Sequence, residues 1–208
     1  MPLLKVNQIA SYSGNTLTLG TTGDTINVAS GVTFNTASAT VNYPAGSITN
    51  AAIASAAAIA TTKLGVGAVL QVVQTTSVSS LTTTAASFVT LNLAATITPS
   101  SASNKILMLF STNAQNTTGS NGCVITIFRG SIASGTNLGD SNWGFGNYGQ
   151  VGGATDSLFA LFPIMYLDSP STTSAITYTP AGKANAGANL VTSFGASRGS
   201  LILMEIAG

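Results

Sequence analysis

Residues 87–130 read SFVTLNLAATITPSSASNKILMLFSTNAQNTTGSNGCVITIFRG, and how this stretch is parsed decides the fold class. It holds three apolar runs, SFVTLNLAATIT (87–98), KILMLFST (105–112) and CVITIFRG (123–130). Their Val, Ile, Thr and Phe fit a pleated, half-buried surface. Between them stand PSSASN and AQNTTGSNG, clusters of residues that favour turns. Apolar runs of this length, bounded by such clusters, read as β-strands.

The same texture extends in both directions. AVLQVVQT (68–75), SLFALFPIMYLD (157–168), SAITYT (174–179), NLVTSFG (189–195) and SLILMEIAG (200–208) are further strand candidates. SSLTTTAA, DSPSTTS, AGKANAGA and ASRG separate runs. Seven or eight strands without an intervening helical period predict an antiparallel β-sandwich, jelly-roll-like, over residues 66–208. Pro163 inside its run cannot donate to a ladder and predicts an edge strand or a bulge.

Upstream the texture changes twice. Residues 1–45 hold short alternating pieces, Leu17/Leu19, Ile26/Val28, Val32/Phe34 and Val41/Tyr43, each closed by turn residues. Such rungs are too short to bury a core alone. Each apolar side chain contributes about 1.5–3 kcal/mol if fully buried, against the ordering of every residue in the segment. An intertwined β-segment shared between copies is the leading expectation, ahead of a tail that orders only on a docking partner and of part of a monomeric domain. Residues 46–65 contain NAAIASAAAIATTKLG (50–65), an Ala-rich junction. On a helix, Ile48 and Ile59 fall almost in line, as do Ile53 and Leu64, giving two stripes about 140° apart. Ile48, Ile53, Ile59 and Leu64 are therefore the candidates for trimer assembly, whether the junction is helical or extended. The run is too short and too polar for the ~20 apolar residues of a membrane span. The opening MPLLKVNQIASYSGN carries Pro2 and no long apolar run of the signal-peptide kind.

Composition narrows the functional classes. Charged residues are 5% of the chain and the net charge is +1, where an ordinary soluble domain carries roughly 25% charged residues. So little charge suits a surface covered by copies of the same chain. Lys5, Lys63, Lys105, Arg129, Lys183 and Arg198 are scattered, so no phosphate-binding patch forms and no nucleic-acid partner is expected. Cys123 reads as a small buried hydrophobe.

The chain has no His, which removes histidine triads and histidine metal sites. Its acids, Asp24, Asp140, Asp156, Asp168 and Glu205, form no D-x-D or E-x-x-E cluster. No enzyme, metal or cofactor is expected. Asp140 and Asp156 bracket the stretch GDSNWGFGNYGQVGGATD (139–156). They read as acids that hydrogen-bond loop-end amides rather than as a glycosidase pair. Arg129, in FRGS, is expected to pair with Asp140 or Glu205. The 139–156 loop is long enough to be functional. Its Trp143, Phe145 and Tyr148 are the candidate receptor contacts, because exposed aromatics stack on sugar rings or apolar surface. The competing expectation is that they pack the loop onto its own sandwich or across the trimer seam.

ITNAAIASAAAIATTKL (48–64) resembles a segment common in tail-fibre and virion-fibre proteins of tailed bacteriophages, of the marine and cyanobacterial type. VLQVVQTT, LAATITPSSASNKILMLFS, FRGS, YLDSPSTTSAITYT and SLILMEIAG resemble the distal domain of the same proteins. Together these pieces cover about half the chain. The resemblance implies a homotrimeric, non-enzymatic virion component. Its amino end docks to other virion proteins, and its carboxyl-terminal β-domain faces a host glycan or protein. The amino-terminal part is short for a long tail fibre, which keeps a capsid decoration, cement or head-fibre protein as the alternative.

Overall fold

The computed structural model describes Thr25, Ser30, Tyr43 and residues 65–208, apart from 118–121, 149–157, 186 and 194–196; for 148 and 158–160 it describes the backbone alone. The chain divides into two compact units, Met1–Ala57 and Ala58–Gly208, and the account that follows concerns the second. The expected intertwined segment over 1–45, the junction over 46–65, and Ile48, Ile53, Ile59 and Leu64 lie outside the described residues.

Every regular element among the described residues is a strand. In chain order they are β1 (Val69–Ser77), β2 (Leu81–Thr83), β3 (Val89–Thr90), β4 (Ala95–Ile97), β5 (Lys105–Asn116) and β6 (Cys123–Arg129). Then come β7 (Thr136–Asn137), β8 (Gly146–Tyr148), β9 (Leu158–Asp168), β10 (Ile176–Ala184), β11 (Leu190–Thr192) and β12 (Gly199–Ile206). They form two antiparallel sheets, as the strand texture predicts. The first runs β1-β12-β5-β11-β2, with β9 on the other side of β5. The second runs β3-β10-β6-β7, with β4 also on β10 and β8 also on β6.

The core lies between the sheets because each long strand alternates. In β5, Ile106, Met108 and Phe110 are buried while Leu107 and Leu109 are only half-buried. In β12, Leu201 and Leu203 are fully buried. The second sheet meets them with Ile97, Ile125, Ile127 and Tyr178, and all belong to one hydrophobic cluster. Alternation of period two puts one residue set on each face, so these strands hold their register through the side chains they bury.

Pairing corrects the predicted runs in several places. SFVTLNLAATIT is not one strand: it breaks between β3 and β4 at Asn92, whose φ is +57°. Asn tolerates the left-handed region better than most residues. β5 continues to Asn116 through AQN, a stretch its composition assigns to a loop. Its last three residues are held between β11 and β9, so tertiary pairing overrides turn propensity. SAITYT likewise extends through Pro180 to Ala184. Pro180 falls where the neighbour of β10 changes from β4 to β3, and there a missing N–H disturbs neither ladder. Pro163 fares as its residue type predicts: among the described residues β9 pairs with β5 alone, as an edge strand.

Candidate functional site

Among the described residues two acids are buried, and both are engaged in structure. Glu205 is 1% exposed. Its Oε1 accepts from the Ser100 amide (2.6 Å), the Ser100 hydroxyl (2.8 Å) and Asn104 Nδ2 (2.6 Å). Its Oε2 accepts from Gln71 Nε2 at 2.6 Å. Burial by itself pushes the carboxyl's pKa up, but these donors outweigh it and hold the group below its ordinary value. Gln71 reaches the site because a bulge between Val69 and Gln71 brings Gln71 into register with Glu205.

Asp168 closes the edge strand β9. It accepts both 3.1 Å bonds from Arg129 Nη1 and a 2.7 Å bond from the Tyr178 hydroxyl. Burial and the adjacent carboxylate push the Tyr178 phenol well above its usual range. Arg129 therefore pairs with Asp168, not with Asp140 or Glu205. Those two acids are satisfied elsewhere, and β6 and β9 bring Arg129 and Asp168 together across the sandwich. An open depression of about 520 Å³ beside Arg129 is lined by Gly130, Ser131, Ile176 and Thr177. Its one charged group is already committed to Asp168. Among the described residues no three Cys, Asp or Glu side chains group as metal ligands.

The aromatic loop is more ordered than its composition suggests over residues 139–148. Asp140 and Gly144 exchange backbone hydrogen bonds of 2.9 and 2.8 Å. Asp140 Oδ1 accepts from the amides of Trp143 (2.7 Å) and Asn142 (2.8 Å), which hold its pKa down. This matches the expectation of an acid bonded to loop amides; Asp156 lies outside the described residues. Gly144 has φ +56°, and a Cβ there would run into the carbonyl of Ile125. Only glycine fits both constraints.

The turn separates the three aromatics. Trp143 is 56% exposed at its tip. Phe145 turns inward, against the core, and meets Tyr166 of β9 edge-on with ring centroids 5.2 Å apart. Tyr148 lies in β8 opposite Cys123, where only its backbone is described. One candidate contact residue is thus displayed to solvent and another packs its own sandwich.

No protein family matches the chain, and no curated protein does. Solved structures with a likeness to it include infectious bursal virus derived T=1 particles, at TM-score 0.35 and 13% identity, over 67% of this chain and 37% of that one. The subviral particle of infectious bursal disease virus VP2 gives TM-score 0.34 and 12% identity, over 67% of this chain and 38% of that one. The chain thus corresponds to well under two thirds of the length of these neighbours.

Proposed function

We propose that this chain is a non-enzymatic structural component of a bacteriophage virion: a homotrimeric tail fibre whose β-sandwich is the distal, host-facing domain. The observation that carries the reading is where the fibre-like segments fall. VLQVVQTT forms most of β1 and SLILMEIAG contains most of β12, while KILMLFS opens β5. These three strands lie side by side in one sheet. YLDSPSTTSAITYT runs from the end of β9 into β10, and FRGS closes β6. The resembling pieces thus make up one continuous sandwich rather than scattered surface patches. Trp143, held at the tip of the Asp140 turn, supplies the contact with a host glycan or protein. The amino-terminal residues attach the chain to other virion proteins.

Gold-labelled antibody against residues 65–208 on intact particles tests the reading, with label expected at the tail. Label on the capsid facets favours the second reading, a decoration or head-fibre protein.

A further inference from the structure

The outer face of the first sheet is apolar across four strands, although it does not face the second sheet. Val72, Met204, Leu107 and Leu167 stand opposite one another in a row across β1, β12, β5 and β9. The next row carries Gln74, Ile202, Leu109 and Met165. Met165 is 78% exposed and Val72 56%. Neither row carries a charge; Lys105 and Arg198 lie beyond the two ends. An antiparallel sheet that meets water on one face normally alternates apolar and polar residues. A large apolar face that does not alternate marks an interaction surface.

From this geometry we infer that the face turns toward a threefold axis and packs against the same face of two other copies, as one wall of a triangular prism. The inference rests on the homotrimer reading and deepens it by naming the seam. Charge selects the partner. A face without ionisable groups leaves any charged partner with unpaired, desolvated charge, whereas a copy presents the matching uncharged face. The width of the face fits threefold packing. Four strands at ~4.8 Å make a wall about 19 Å wide. A prism whose walls stand ~5 Å from its axis, half the roughly 10 Å spacing of packed sheets, has walls about 17 Å wide. A four-strand wall therefore encloses a prism that its own side chains fill, and each copy meets two neighbours.

Sedimentation equilibrium on the full chain and on Leu109→Asp tests this. The parent is expected at three times the 20.7 kDa chain mass, and the variant at one. Near-ultraviolet circular dichroism checks that the variant remains folded. Because Leu109→Asp risks misfolding, Leu109→Cys provides a second readout. A short bismaleimide is expected to link its copies into dimers on a denaturing gel, while Asn142→Cys, on the exposed turn, stays unlinked. A trimeric parent whose Leu109→Asp variant stays trimeric, with Leu109→Cys unlinked, overturns the seam and leaves the homotrimer standing. A monomeric parent overturns both, and a dimeric parent overturns the threefold arrangement.

Discussion

Gln71 Nε2 lies 2.6 Å from Glu205 Oε2, a hydrogen bond between residues 134 positions apart in the chain. It ties the first described strand to the last through a buried carboxylate that also holds the loop carrying Ser100 and Asn104. The carboxylate is an acceptor for four donors and depends on being ionised. Its pKa is lowered in the fold from the ordinary 4.5. A group depressed on folding stabilises the fold fully above its unfolded pKa, and that contribution is lost as pH falls through the folded value. Thermal unfolding should therefore show little dependence on this group from pH 7 to 5 and a falling midpoint below about pH 4.5. Glu205→Gln should flatten the acid limb of that profile. Glu205→Leu should cost about 3 kcal/mol at pH 7, because it strands the donors of Asn104, Gln71 and Ser100.

The triad of Arg129, Asp168 and Tyr178 joins the second sheet to the end of β9. Removing the hydroxyl in Tyr178→Phe leaves Asp168 with its Arg129 bonds and should cost about 1–2 kcal/mol. Removing the acid in Asp168→Ala strands both a buried hydroxyl and a guanidinium. Arg129 keeps 30% of its side chain exposed, so water compensates it in part. The expected cost is about 2–3 kcal/mol, below that of breaking a fully buried pair. Urea unfolding of the three proteins checks the order.

Strand content was legible because period-two alternation and turn chemistry are local signals. Pro163 marked an edge strand because its missing N–H is a local fact. The break at Asn92 and the extension of β5 to Asn116 were not legible, since each depends on which strand lies alongside. Arg129 was recognisable as a structural cation, but its partner was not. Asp140 and Glu205 are no worse candidates in sequence, and only the placement of β9 beside β5 brings Asp168 within reach. The Glu205 site was missed for the same reason: its donors come from positions 71, 100 and 104, and a bulge sets the register of the first. The apolar outer face was hidden in strands read one at a time. MEI and LML look like ordinary core alternation until cross-strand register aligns Met204 with Leu107.

Cys123 offers a check on packing between the sheets. It is fully buried, and burial pushes its thiol pKa up to about 11. Thiolate is the reactive form, so both access and ionisation oppose modification. An aromatic disulfide reagent at pH 8 should leave the native protein unlabelled over hours and label one thiol per chain promptly in 6 M guanidinium. Fast labelling of the native protein would show that the sheets separate at the β6 end.

Trp143 is the only tryptophan in the chain, which makes the turn at residues 140–144 directly observable. Its exposed indole should show water-like emission and quench readily with acrylamide. Trp143→Ala removes surface that packs little, so stability should change by no more than about 0.5 kcal/mol. If the indole is the host contact, binding to host envelope should fall at least tenfold, since buried aromatic anchors dominate interface energies. Gly144→Ala alters the same turn in the opposite manner: the indole stays, but the left-handed backbone and the Ile125 carbonyl both oppose the new methyl. It should cost about 2 kcal/mol or more and weaken binding by misplacing Trp143. Normal binding by Trp143→Ala together with weak binding by Gly144→Ala would move the contact to the rest of the turn, because the second change then acts through backbone that the first leaves intact.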